Sequence, residues 1–401
     1  TLGCINCHHF LPDPQIDEYQ RHSLALIKKK FSPSQLVRFL QTPHQFNPWS
    51  RMPDFKLARQ EAEGLSAYLI EHSKGKIPNS LLLPAGSASR GHQLYYETLG
   101  CVRCHGELKG QIQAEAHTTR IPLSEQSLSK GCLSEREQDH STAPQFQFSQ
   151  KQREAIQSIL KSRTESLARH SLPEVSERWV RQLNCAACHN RDAAQSPRGL
   201  IVVEEGESGL PPEPLPSLTW AGEKLKPAWA TSFIAGNLSW RPRPWLKSSM
   251  PHFPAHARYL ASGMAAEHGI AHLSEMETTE KKISAPHQQI TLGNQLTTKN
   301  ALDCRQCHGV GDDLPTGDDK TKIALGINFV HIKERLTEDY YRRFVLDPPR
   351  FDISTKMPKL SADGKTTKIA TIFDGDANRQ FQAIWKYIQS LNDQPRTFSG
   401  K

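Results

Sequence analysis

The sequence predicts an all-α chain of tandem helical modules with long loops. Three observations predict it. Eight of the nine cysteines fall in four copies of one pattern, Cys4-Ile-Asn-Cys7-His8, Cys101-Val-Arg-Cys104-His105, Cys185-Ala-Ala-Cys188-His189 and Cys304-Arg-Gln-Cys307-His308. Around each copy, apolar residues recur at helical spacing. Pro, Ser and Thr stand where helices begin and end.

Composition narrows the field. The 401 residues are 23% charged, an ordinary share for a folded chain. Mean hydropathy is −0.59, and no apolar run approaches the roughly 20 residues of a membrane span. A membrane channel, a collagen-like fibre and a small disulfide-knotted toxin are excluded. Hydrophobic residues reach only 37%, a modest core that suits a chain borrowing apolar mass from a cofactor. Thr1-Leu2-Gly3 leads straight into the first motif, with no signal-peptide pattern before it.

In each motif the cysteines stand at i and i+3 and the histidine at i+4. On a helical turn these positions share a face, so two thiols and one imidazole reach a single flat ligand. This is the attachment pattern for c-type haem, in which each thiol adds across a vinyl group. A zinc ribbon would place its C-x-x-C pairs roughly 15–20 residues apart, whereas here the first cysteines stand at 4, 101, 185 and 304. A thioredoxin-like disulfide would need a βαβ frame, and none is visible.

The elements repeat along the chain. In the first unit Ser32-Pro33 is an N-cap and N1 pair. Leu36, Val37, Phe39 and Leu40 supply an apolar face, and Pro43 and Pro48 end the helix. Arg51-Met52-Pro53 follows, then Ala62, Leu65, Tyr68 and Leu69 at helical spacing. The third unit has Trp179, Val180 and Leu183 before Cys185, a helix opened by Pro227, Ser249-Met250-Pro251, then Tyr259 and Leu260. In the fourth, Ala301-Leu302 precede Cys304 and Thr337 caps a helix that Asp347-Pro348-Pro349 stops. Lys356-Met357-Pro358 follows, then a stripe of Phe381, Ile384, Trp385, Ile388 and Leu391. The second unit departs from this plan: Leu94, Tyr95 and Leu99 precede Cys101, and Gln150 to Lys161 closes the unit as a helix. Ala143-Pro144-Gln145-Phe146 stands where Met-Pro is expected. Glu204 through Pro216 reads as a surface loop within unit three.

The chain resembles class I cytochrome c repeated four times, over nearly its whole length. The resemblance implies modules at 1–82, 83–171, 172–284 and 285–401. Unit one has only three residues before Cys4, so its first helix is expected from elsewhere, either further chain or a partner.

Four covalent haem c groups are implied, with thioethers at Cys4, Cys7, Cys101, Cys104, Cys185, Cys188, Cys304 and Cys307. His8, His105, His189 and His308 would be proximal iron ligands, and Met52, Met250 and Met357 distal ones. His252 is a competitor for Met250. The second haem has Cys132, His140 or His117 as candidates, or an open iron. His9, His22, His44, His72, His92 and His331 are expected at the surface or against propionates, and His9 could instead touch a neighbouring haem.

The net charge of +8 would be offset by the eight propionates of four haems, which removes the case for nucleic-acid binding. Charge asymmetry could still steer an acidic redox partner or an anionic membrane surface. The function implied is single-electron transfer between haems and to redox partners or a larger complex. The alternative is a haem enzyme, peroxidase-like or acting on sulfur compounds, with haem two reactive. Covalent haem attachment in bacteria implies a periplasmic or otherwise exported protein.

Overall fold

The computed structural model describes residues 2–10, 17–45, 50–75, 87–98, 134, 148–161, 171–206, 215–246, 249–270, 287–317 and 325–391. Cys101, Cys104, His105, His117, Cys132, His140 and the segment Ala143 to Phe146 lie outside these residues. The chain forms two compact units, one of Thr1–Lys76 with Ser171–Lys401, the other of Ile77–His170. The fold is all-α. Among the described residues the only paired strands are the two-residue β1 (His8–His9) and β2 (His22–Ser23), parallel, with His8 beside His22.

In the first segment of the larger unit, a single-turn α1 (Ile27–Lys30) leads into α2 (Pro33–Gln41), and α3 (Arg59–His72) follows. Ser32 caps α2 as expected: its Oγ accepts from the Gln35 N–H while Gln35 Oε1 accepts from the Ser32 N–H at 3.0 Å. Leu36, Leu40, Leu57 and Ala62 form the apolar cluster between α2 and α3.

In the smaller unit, α4 (Ala88–Gln93) starts at the Ser87 cap and widens into a π-helical turn over Leu94–Thr98. The closing helix α5 (Gln150–Lys161) has the bounds that its apolar spacing predicts.

The third segment carries α6 (Leu172–Gln182), α7 (Arg198–Glu204), α8 (Ala221–Lys224), α9 (Pro227–Ala235) and α10 (Ala257–Glu267). Helices α6 and α10 pack so closely at Gly263 that a Cβ there would collide with the Leu172 carbonyl and Ser176. Val180, Leu183, Trp229, Ile234, Leu260 and Met264 fill the core. The expected surface loop from Glu204 is revised at its start. Glu204 ends α7, whose Ile201 and Val202 are buried.

The fourth segment carries α11 (His287–Leu296), α12 (Ile332–Arg335), α13 (Glu338–Leu346), α14 (Pro348–Phe351) and α15 (Ala377–Ser390). Gly293 of α11 meets the Ala383 carbonyl of α15 with the same closeness. Thr337 caps α13, accepting from the Tyr340 N–H. Leu302 is buried but sits in a turn beyond α11, not in the helix.

One arrangement recurs three times in the larger unit. A single-turn helix (α1, α8, α12) ends on a basic residue. An apolar residue closes it, with Phe31, Leu225 and Leu336 donating their N–H to Ile27, Ala221 and Ile332. A longer helix (α2, α9, α13) then begins. No helix of the described residues is long and apolar enough to cross a membrane.

Candidate functional site

The three described C-x-x-C-H motifs fold alike. Each starts at a residue in left-handed backbone, Gly3 (φ 68°), Asn184 (φ 56°) or Asp303 (φ 56°). Gly, Asn and Asp are the residues that tolerate this conformation best. A single 3₁₀ turn follows, over Cys4–Asn6, Cys185–Ala187 and Cys304–Gln306, closed by the N–H of the second cysteine on the carbonyl of the first at 3.1, 3.1 and 3.2 Å. The turn gives the five residues of each motif the same backbone course. Gly100 holds the equivalent sequence position before Cys101, a residue-type signal that the motif reading passed over.

Each histidine is then oriented by the backbone. His8 Nδ1 donates to the His22 carbonyl at 3.3 Å, His189 Nδ1 to Pro216 at 2.7 Å and His308 Nδ1 to Ile327 at 2.7 Å. A carbonyl can only accept, so the proton sits on Nδ1 and Nε2 keeps its lone pair. That is the tautomer a metal-ligating imidazole needs, with the outer hydrogen bond fixing the ring. Burial pushes the pKa of all three down, which keeps the rings neutral. The His308 ring lies flat against Gly326, where a Cβ would overlap it. A cleft of about 290 Å³ opens beside His308, lined by Arg305, Val310, Asp313, Leu314 and Thr316.

The thiols sit in apolar surroundings. Burial pushes Cys185 and Cys304 up to about 12 and Cys188 to about 11. Such thiols stay protonated at neutral pH, unlike the activated thiolate of a redox pair or a zinc ligand. Among the described residues no three His, Cys, Asp or Glu side chains gather as a metal-binding group. A flat ligand that brings its own four metal donors asks for only one or two from the protein.

The Met-Pro loops come to the same places. Met250 and Cys185 pack on one apolar cluster, and Met357 and Cys304 on another; Met52 and Leu2 pack on a third. The Met52 N–H donates to Ser50 Oγ and the Met357 N–H to Thr355 Oγ1, both at 3.2 Å. The His252 backbone pairs with Asp54, and its ring packs against Gly236.

Two of the histidines expected at the surface or against propionates are at least half-buried. His9 is buried, 4% exposed. His331 stacks on Trp240 at 3.7 Å between ring centres. Arg21 is a participant the sequence did not reveal. It is buried against Asp17 at 2.8 Å, and it donates to the Ile5 carbonyl inside the first motif and to Glu205.

No protein-family model, curated protein or solved structure matches this chain.

Proposed function

We propose that the protein is a multihaem c-type cytochrome that moves single electrons. The observation that carries the reading is the common geometry of the three described motifs, in which paired, half-buried thiols precede a neutral histidine whose Nδ1 is tied to a backbone carbonyl. When bound, haem supplies an iron that changes charge by one without bond rearrangement. Cys4 and Cys7, Cys185 and Cys188, and Cys304 and Cys307 would hold it by thioethers. His8, His189 and His308 would offer Nε2 to the iron, and Met52, Met250 and Met357 a thioether sulfur from the other side, which raises the potential. The apolar clusters beneath the motifs would exclude water. The motif at Cys101, Cys104 and His105 is assigned to a fourth haem on its sequence alone, with Cys132 or His140 as its second ligand. Delivery to redox partners outside the cytoplasm belongs to the same proposal.

Intact-mass analysis of the purified protein tests it. The expected result is the mass of the chain plus four haems, with the absorption bands of low-spin c-type haem. A colourless protein at the bare chain mass would overturn the reading.

A further inference from the structure

We infer that the three described haem units form a relay ordered one, three, four, with unit three in the middle. This rests on the haem reading above. Two separate junctions carry it.

The first joins units one and three. Asn6 Nδ2 contacts Cys188 Sγ at 3.2 Å, and Asn184 Nδ2 reaches Cys7 Sγ at 4.0 Å. The second cysteine of each motif is thus touched by an asparagine of the other. The Met-Pro loops also meet. Asp54 and His252, each two residues beyond its methionine, exchange both backbone hydrogen bonds, at 3.0 and 3.1 Å. Contacts that run both ways between like loops are the mark of a two-fold relation. They bring the attachment turn and the methionine loop of one unit against those of the other.

The second joins units three and four through a different surface. Leu225 and Leu336, equivalent in the repeat, form a bridge: Lys226 N–H donates to the Arg335 carbonyl at 2.9 Å and Thr337 N–H to Lys224 at 3.1 Å. Arg335 is 7% exposed, and its Nε has no hydrogen-bond partner among the described residues. A buried cation of this kind calls for an anion, and the proposed cofactor carries carboxylates. Arg335 and Lys224 are the buried cations at this junction that propionates of units three and four would pair with.

Electron tunnelling falls steeply with distance, so these contacts set the route. Each step moves one electron: one iron is oxidised by one charge, its neighbour reduced by one, and no bond or proton is exchanged. Neighbouring haems also repel as like charges, and this is what an experiment reads.

The test is a potentiometric titration of the haem-loaded protein, followed by EPR, with Met250→His and Met52→His. Each swap lowers the potential of its own haem, so that haem stays oxidised while the others are reduced. Met250→His should change the oxidised-to-reduced ratio of both haem one and haem four by roughly tenfold at a given potential. Met52→His should do so for haem three and change haem four by less than about twofold. An effect of Met52→His on haem four as large as on haem three would overturn the order, as would no effect of Met250→His on haem one. Should either variant lose haem, NMR of stepwise-reduced wild-type protein gives the same pairwise couplings. They should be strong for one with three and three with four, and weak for one with four. Wild-type protein without haem by mass would defeat the functional reading; full haem with another coupling pattern would defeat the order alone.

Discussion

Lys224 and Arg335 reach across to each other's aromatic partners. Lys224 Nζ lies over Tyr340 at 5.6 Å, and the Arg335 guanidinium over Trp229 at 5.2 Å. Tyr340 stands five residues beyond Arg335, and Trp229 five beyond Lys224. The repeat therefore meets itself with like positions exchanged. Desolvation is the main cause that pushes Lys224 down to about 7 and Arg335 to about 10.

Under the proposed function, Arg335→Gln removes a positive charge that opposes oxidation nearby. The midpoint potentials of haems three and four should both fall, while that of haem one holds. Potentiometry resolved by unit checks this.

The helix crossings predict opposite signs for three glycine substitutions. Gly263→Ala and Gly293→Ala drive a Cβ into backbone of the facing helix and should each cost about 1–3 kcal/mol. Gly64→Ala, in α3, meets nothing within 4 Å and should gain about 0.5–1 kcal/mol from helix propensity. Thermal melts of the variants compare them.

The left-handed residue before each motif predicts a ranking at one site. Asn184→Gly should leave stability and, under the proposed function, haem loading near wild type. Asn184→Val, forced to φ 56°, should cost about 1–2 kcal/mol. Melting temperature and haem content per chain are the measurements.

Asp17 predicts part of the acid limb. Hydrogen bonds from Arg21 hold its carboxyl at about 2, below the ordinary 3.8. The unfolded chain takes up that proton first. The stability from this pair is therefore full above about pH 4 and drains as pH falls towards 2. Asp17→Asn should flatten the pH dependence in that window, measured by denaturant melts across it.

Gly326→Ala should displace the His308 ring without straining the backbone. Under the proposed function, its spectral change should be confined to one haem signal, with those governed by His8 and His189 unmoved.

Helix starts were legible because capping is local chemistry: Ser32, Thr337 and Pro227 are read from one or two residues. The stripe from Phe381 to Ile388 was legible because α15 is long enough for periodicity to show. The single turns α1, α8 and α12 were not, since four residues carry no period. The burial of His9 and Arg21 leaves no local signal; Arg21 is held by Asp17 and, from far along the chain, by Glu205. The order of units was hidden for the same reason. Asn6 and Cys188 carry no mark of each other, and a two-fold contact between distant segments leaves no local trace. In the candidate site, residue types gave the motif histidines and methionines. The carbonyls of His22, Pro216 and Ile327 that aim the imidazoles were invisible, because any residue can supply a carbonyl.

Units one and three are fastened at two points, the paired attachment turns and the paired Asp54 and His252 backbones. A joint pinned twice cannot swing as a hinge. Traffic between these two centres would then need no diffusive rearrangement, and its rate should stay level as glycerol thickens the solvent.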